Sequence, residues 1–276
     1  MPRTNEIIFS IRRLYPAVDA VPHTQRFPVE LHPGMTVLEG LLQIRESQDA
    51  SLAWRFSCRM GVCGSCAMIV NGHPRLACNT QIQDVSREEV RLAPLANYPV
   101  IKDLVANLDT LFEQHAALAP YIARSDSAEL IAPGGEFRQT PAQLTRFLQF
   151  SGCIKCGACM AACPTVASDT RFFGPMPLTA AHRYNADNRD DGFATRKRHM
   201  RQRHAAEHCH YAGECSRVCP KGVDPARALQ LLRRELLLDW LGLRRRQALA
   251  MVQPASDDQP PSQRRVQTPP PFTVQR

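Results

Sequence analysis

Apolar positions alternate with polar ones near the start of the chain and recur every three to four residues towards its end. Ile7 to Arg13 mixes β-branched and aromatic residues and predicts a strand. Gln25 to Leu31 reads as its hairpin partner, and Pro28 demotes it to an edge position because proline cannot donate to a ladder. Thr36-x-x-Glu39 is a capping box that opens a helix with Val37, Leu38, Leu41 and Leu42 on its buried face. A cysteine-rich loop occupies 57–66. Ala67 to Val70 predicts a short strand, and Asn71-Gly72 is a strong hairpin signal. Leu76 and Ala77 begin the returning strand, and Val90 to Leu92 is the last one. Strands surrounding one helix make a small α+β unit of about 100 residues.

The period changes after Pro99. Leu104, Leu108, Leu111 and Phe112 lie at helical spacing and predict a helix from Asp103 to Leu118. Ser125 to Glu136 reads as a loop. Thr140-Pro141 is a cap followed by proline at the first helical position, and that helix runs through Phe147 to Phe150. Pro177 to Tyr184 and a stretch over 195–208, polar all round, also read as helical. Asp224-Pro225 repeats the cap-and-proline start, ahead of an amphipathic helix to about Arg246. The second half is therefore expected to be all-helical. From Gln253 onward, 6 prolines fall among 24 residues with little to bury, which predicts a disordered tail. The expected domains are 1–105, 106–250 and a tail over 251–276.

Composition narrows the class. The 276 residues are 44% hydrophobic and 22% charged, so a wholly disordered chain is excluded. No run of eighteen apolar residues exists, and no transmembrane helix is expected. The first residues, Met-Pro-Arg-Thr-Asn-Glu, do not read as a secretory signal. The net charge of +8 is uneven: residues 195–276 carry 16 Lys and Arg against 7 Asp and Glu. Such a basic third suits an anionic partner, or is simply a solvated face.

The 11 cysteines carry the chemistry. An odd count with no signal sequence fits poorly with a disulfide framework and points to metal or redox work. Cys58-x4-Cys63-x2-Cys66, with Cys78 beyond, has the plant-type [2Fe–2S] spacing. Gly61 and Gly64 let the loop backbone approach a cluster. The alternative is a zinc site with four cysteines, but zinc prefers paired C-x2-C knuckles and this group holds one. Cys153-x2-Cys156-x2-Cys159-x3-Cys163-Pro164 matches the bacterial ferredoxin run, whose fourth cysteine serves the neighbouring cluster. Laid against it, Cys209-x5-Cys215-x3-Cys219-Pro220 matches with Ala212 in place of the second cysteine. By that exchange Cys219 joins Cys153, Cys156 and Cys159 at a [4Fe–4S] centre. Cys163, Cys209 and Cys215 remain for a second centre that lacks one ligand. A [3Fe–4S] cluster is its natural occupant; the rival is a labile [4Fe–4S] with water or hydroxide on the fourth iron. All eleven cysteines are then used.

No nucleophile–base pair, carboxylate dyad, phosphate loop or dinucleotide fingerprint stands beside these sites, and Gly134-Gly135 means only a loop. Three clusters without a substrate site make a wire, and a wire needs a donor and an acceptor. At this point the sequence resembles the iron–sulfur subunit of succinate dehydrogenase and fumarate reductase, the respiratory complex II family. The segments that carry the resemblance are 57–66, 151–159, 181–190 and 215–225. It implies a β-grasp, plant-type ferredoxin domain followed by a helical, bacterial-ferredoxin-like domain. It also implies electron transfer between a flavoprotein subunit with covalent FAD and quinone near a membrane anchor, with or without haem b. The chain would then sit peripherally on the cytoplasmic face of the inner membrane.

The resemblance places quinone beside the three-iron centre and implies Pro164, His210, Gln230 and Arg233 in its vicinity. Fumarate-reductase-type members have Gln and Lys at the last two positions, and Arg233 keeps the charge with altered geometry. Ubiquinone-using members carry a Trp shortly after the Pro164 position; Thr165 to Thr170 contains none, which favours menaquinone. The basic residues Arg233, Arg234 and Arg244 to Arg246 suit contact with the anchor and anionic headgroups, or serve solubility alone. His199, His204 and His208 form no defensible ligand motif. Two other readings remain: the iron–sulfur subunit of a different flavin-dependent organic-acid dehydrogenase, and a zinc-stabilised module that holds nucleic acid. Sparse aromatics near the basic residues and the cysteine count speak against nucleic acid.

Overall fold

The computed structural model describes residues 6–125, 136–244 and 250–252. The expected tail from Gln253, nearly all of the 125–136 loop, and Arg245 and Arg246 lie outside them. The first half is a five-stranded sheet in the order β2-β1-β5-β3-β4. Its strands are β1 (Glu6–Arg13), β2 (His23–Glu30), β3 (Ala67–Val70), β4 (His73–Leu76) and β5 (Glu89–Ala93). β1 pairs antiparallel with β2 and parallel with β5, while β3 runs antiparallel to both β5 and β4. Both prolines of the sheet, Pro28 and Pro74, sit on edge strands, where a missing N–H costs no ladder bond. The carbonyl of Pro28 accepts instead from Gln48 at 2.6 Å.

Helix α1 (Val37–Ser47) lies across the sheet and buries Val37, Leu38, Leu41 and Ile44, with Leu42 half-buried at the flank. Its capping box is formed: the Thr36 hydroxyl accepts from Glu39 N, and the Glu39 carboxylate accepts from Thr36 N at 2.7 Å. Gly40 is needed because a Cβ there would lie 2.5 Å from the Phe9 ring. The returning strand ends at Leu76 where it was expected to begin; Ala77–Asn79 is a 3₁₀ turn that carries Cys78 out of the sheet. A single-turn helix, α2 (Ile82–Val85), leads into β5.

The helix expected from Asp103 begins only at Asp109, as α3 (Asp109–Ala117). Residues before it form a tight hairpin of β6 (Val100–Lys102) and β7 (Val105–Ala106). The cause is non-local. Asp103 is buried and left-handed (φ 48°), and its carboxylate accepts from Arg13 Nε at 2.9 Å, Leu14 N and Ala53 N. Leu104 consequently joins the first core, and Phe112 is left exposed.

The second half is a helical array of α4 (Pro141–Ser151), α5 (Ala158–Ala161), α6 (Pro164–Ser168), α7 (Pro175–Asn185), α8 (Phe193–Met200), α9 (Glu214–Arg217) and α10 (Pro225–Trp240). It also carries a two-stranded ribbon of β8 (Glu136–Arg138) and β9 (Ala250–Val252). α7 packs against both α4 and α10, over a core that includes Leu178, Leu229 and Leu232. The stretch expected to be helical and polar all round over 195–208 ends as a helix at Met200, and one face is buried. Arg196 is fully buried there, with Asp190 oxygens at 2.6 and 2.8 Å and the carbonyls of Leu118 and Tyr121. α10 stops at Trp240, short of the expected Arg246. Gly242 (φ 70°) and Leu243 donate back to Asp239 and Leu238, a helix-ending double bond that favours glycine.

Candidate metal centres

The loop 57–66 wraps its own backbone around sulfur. Arg59, Gly61 and Gly64 all take positive φ, which turns successive N–H groups inward. Met60, Val62 and Cys63 donate to Cys58 Sγ at 3.3–3.5 Å, and Gly61 donates to Cys78 Sγ at 3.2 Å. These donors hold the Cys58 thiol down at about 6. Cys66 lies beneath them, and burial pushes it up to about 12. The 3₁₀ turn Ala77–Asn79 brings Cys78 to the same loop.

The two helical motifs share one backbone course. In the first, Lys155 (φ 55°) and Gly157 (φ 82°) are left-handed, and the short helix α5 follows. In the second, Tyr211 (φ 55°) and Gly213 (φ 79°) are left-handed, and α9 follows. The registers coincide residue for residue, so Ala212 stands where Cys156 stands in the other motif. Cys153, Cys156, Cys159 and Cys219 line one cavity with Met176 and Val223. Cys163, Cys209 and Cys215 line a second, closed by Ala212, Pro164, Phe172 and Tyr211. Burial raises the thiols here: Cys156 and Cys215 to about 11, Cys159 well up, and Cys153 and Cys209 upward. All eleven cysteines are free. Buried, clustered thiols with no bond to one another are the donor set that iron–sulfur clusters take, and inward-facing N–H groups suit their charge. The residues present fit such clusters.

Contacts between the halves give Gly64 a second role and involve Asn97 and Tyr98, which the sequence did not single out. Gly64 (φ 77°) meets the second half directly: a Cβ there would lie 2.8 Å from Cys156 Cβ. Asn97, also left-handed (φ 64°), donates to the carbonyls of Met160, Ala161 and Cys163 at the end of α5. Tyr98 donates to Gly157 O at 3.3 Å, and burial holds its phenol protonated. The only local hint was glycine inside the cysteine loop.

The residues expected near quinone divide. Pro164 forms part of the wall of the three-cysteine cavity. Arg233 lies over the Tyr211 ring at 5.1 Å and pairs with Glu207 at 2.9 Å. His210 and Gln230 are exposed, and neither lines that cavity. The His210 ring lies 5.7 Å from that of His208. Among the described residues no helix is long and apolar enough to cross a membrane.

Comparison with known proteins gives a family model for each half. Residues 8–113 match a 2Fe-2S iron-sulfur cluster binding domain, and residues 149–223 a 4Fe-4S dicluster domain. The chain is 40% identical over 246 residues to a fumarate reductase iron-sulfur subunit of Mycobacterium tuberculosis, covering 86% of this chain and 99% of the relative. It is 41% identical over 239 residues to the corresponding subunit of Haemophilus influenzae, with 84% and 93% covered. A mitochondrial succinate dehydrogenase [ubiquinone] iron-sulfur subunit of Candida glabrata is 34% identical over 220 residues, with 79% and 86% covered. Among solved structures, a chain of the Mycobacterium smegmatis Sdh1 complex in the apo form superposes with a TM-score of 0.73 at 25% identity, covering 86% of this chain and 97% of that one.

Proposed function

The chain belongs to the family of iron–sulfur subunits of fumarate reductase and succinate dehydrogenase, and from that premise we propose how its residues divide the work. It is the electron-transfer subunit of such an enzyme, with a 2Fe-2S domain and a 4Fe-4S-type dicluster domain. In our assignment Cys58, Cys63, Cys66 and Cys78 hold [2Fe–2S]. Cys153, Cys156, Cys159 and Cys219 hold [4Fe–4S]. Cys163, Cys209 and Cys215 hold [3Fe–4S]. The domain boundary falls near residue 105. The observation that carries the third assignment is the shared backbone course of the two helical motifs, with the Ala212 methyl in the place of a thiolate. When bound, the clusters supply one-electron carriers.

The chain's own part is positioning and exclusion of water. Gly64 lets the first loop approach the Cys156 turn, which shortens the gap between two carriers. Phe172, Tyr211 and Leu229 wall the three-cysteine cavity. Exposed Met60 and Val62 give the first loop an apolar face suited to a flavoprotein subunit with FAD. At the other end, Arg233 carries a cation over the Tyr211 ring; Pro164 walls the three-cysteine cavity, and His210 and Gln230 neighbour Cys209 and Arg233 along the chain. That end faces quinone, menaquinone by the absence of Trp in Thr165 to Thr170, and a membrane anchor. The chain is then peripheral on the cytoplasmic face of the inner membrane.

Electron paramagnetic resonance of the oxidised, anaerobically purified chain tests the assignment. A three-iron signal is expected, with about nine irons per chain. A diamagnetic oxidised protein would overturn it. In the assembled complex, Arg233→Ala is expected to slow quinone reduction more than reduction of an artificial dye. Equal slowing would remove Arg233 from the quinone site.

A further inference from the structure

Three residues that the cluster assignments leave unused converge at the end of α6. Asp169 caps that helix, its N–H donating to Thr165 O. His204 and His208 come from the turn between α8 and the Cys209 loop, and Ala206–His208 is a 3₁₀ turn. His204 Nδ1 lies 2.7 Å from Asp169 Oδ2, and His208 Nε2 lies 3.3 Å from the same oxygen. One donor from each of the three residues falls within 4.8 Å of the others.

Two further features make this more than a histidine resting on a carboxylate. The other oxygen, Asp169 Oδ1, is held by Arg171 through its backbone N at 3.0 Å and its Nε at 3.1 Å. Oδ2 is thereby aimed at the two imidazoles, as a partner behind a metal ligand aims it. The imidazoles are themselves positioned. Phe173 N donates to His204 O at 2.9 Å, the Phe172 ring lies 5.8 Å from that of His208, and the two imidazole rings meet edge to face at 5.4 Å. The three side chains are partly open, at 22%, 29% and 15% exposure for His204, His208 and Asp169. A cation can therefore enter and keep a water.

We propose that Asp169, His204 and His208 form a binding site for a divalent cation of the zinc class. Two imidazoles and one carboxylate are a borderline donor set that suits zinc over calcium or magnesium, and three protein ligands leave a fourth position open. Ligands at about 2.0–2.1 Å around tetrahedral zinc stand about 3.4 Å apart. The His208–Asp169 pair already has that spacing. The His204–Asp169 pair must open by about 0.6–0.7 Å, and the two imidazole nitrogens, within 4.8 Å of each other, must reach the same spacing. The site is separate from the cysteine cavities and does not depend on which cluster each of them holds.

The test uses the full chain with its iron in place, dialysed against zinc alone, followed by metal analysis and X-ray absorption at the zinc edge. One zinc per chain is expected with iron content unchanged, in a shell of nitrogen and oxygen at about 2.0–2.1 Å with imidazole scattering. His204→Gln and Asp169→Asn should each weaken binding by more than about tenfold, and Arg171→Ala by about 10-fold. Retained iron in the variants shows that the fold survives. A sulfur shell near about 2.3 Å, which marks zinc in the cysteine cavities, would overturn the proposal. Uptake by His204→Gln and Asp169→Asn equal to that of the unmodified chain would do the same.

Discussion

The two halves of the chain differ in how they hold their outer thiols. In the sheet half, a loop with three left-handed residues points backbone N–H groups at sulfur, and its outer thiol, Cys58, is held down at about 6 while burial pushes Cys66 up to about 12. In the helical half, burial dominates and Cys156 and Cys215 are driven up to about 11. The first loop is stabilised by its own backbone and packs on a sheet core to which it contributes Cys66. The helical cavities gather buried thiols, which need a bound cation to be held as thiolates. Cluster binding should therefore be coupled to folding far more tightly in the second half.

The largest expected effect breaks or upholds that contrast. Stripping iron with a chelator under reducing conditions should remove amide-exchange protection from α4, α7 and α10 while β1, β5 and α1 keep theirs. Equal loss in both halves would show that the sheet half depends on its cluster as much. The next effect compares one buried ion pair in each half. Asp190→Ala removes the buried carboxylate of Arg196, whereas Asp103→Ala removes one of two from Arg13, which keeps Asp49 at 2.6 Å. Asp190→Ala should cost about 3–5 kcal/mol in denaturant unfolding of the holoprotein, and Asp103→Ala less. Losses below about 1 kcal/mol would show that water replaces the missing carboxylate.

A smaller effect is pH dependence. Burial depresses His115 and His182, both in the helical half, to about 4. Unfolding frees them to bind protons near their ordinary value of about 6.5. Their contribution is full above that value and is lost as pH falls towards 4. In the sheet half, Ser51 and Arg13 hold Asp49 at about 2, so its contribution persists until pH falls below about 4. Exchange measured between pH 6.5 and 4.5 should loosen the helices before the sheet. Simultaneous loosening would remove the two histidines from the account.

Local spacing made much of this legible. The capping box at Thr36, the edge prolines and the cysteine motifs each declare themselves within a few residues. So does the register that sets Ala212 opposite Cys156, because a short loop with fixed left-handed positions leaves little freedom. Longer-range features were not legible. Asp103 abandons a helix for an arginine 90 positions away, and Asn97 caps a helix in the other half. Arg196 looked like a solvated residue on a polar helix, although its partner Asp190 lies six positions back. The end of α10 was legible in principle, since Gly242 marks it. The Asp169–His204–His208 group combines a helix cap with a distant turn, and no spacing rule joins them.

The dicluster assignment turns on whether Ala212 leaves one centre a ligand short. Ala212→Cys in the anaerobically purified chain restores a thiol at that place, and Mössbauer and paramagnetic resonance spectra read the outcome. The oxidised three-iron signal should disappear, a second four-iron centre should take its place, and the iron content should rise by one per chain. An unaltered three-iron signal in a variant that carries the new thiol would contradict it.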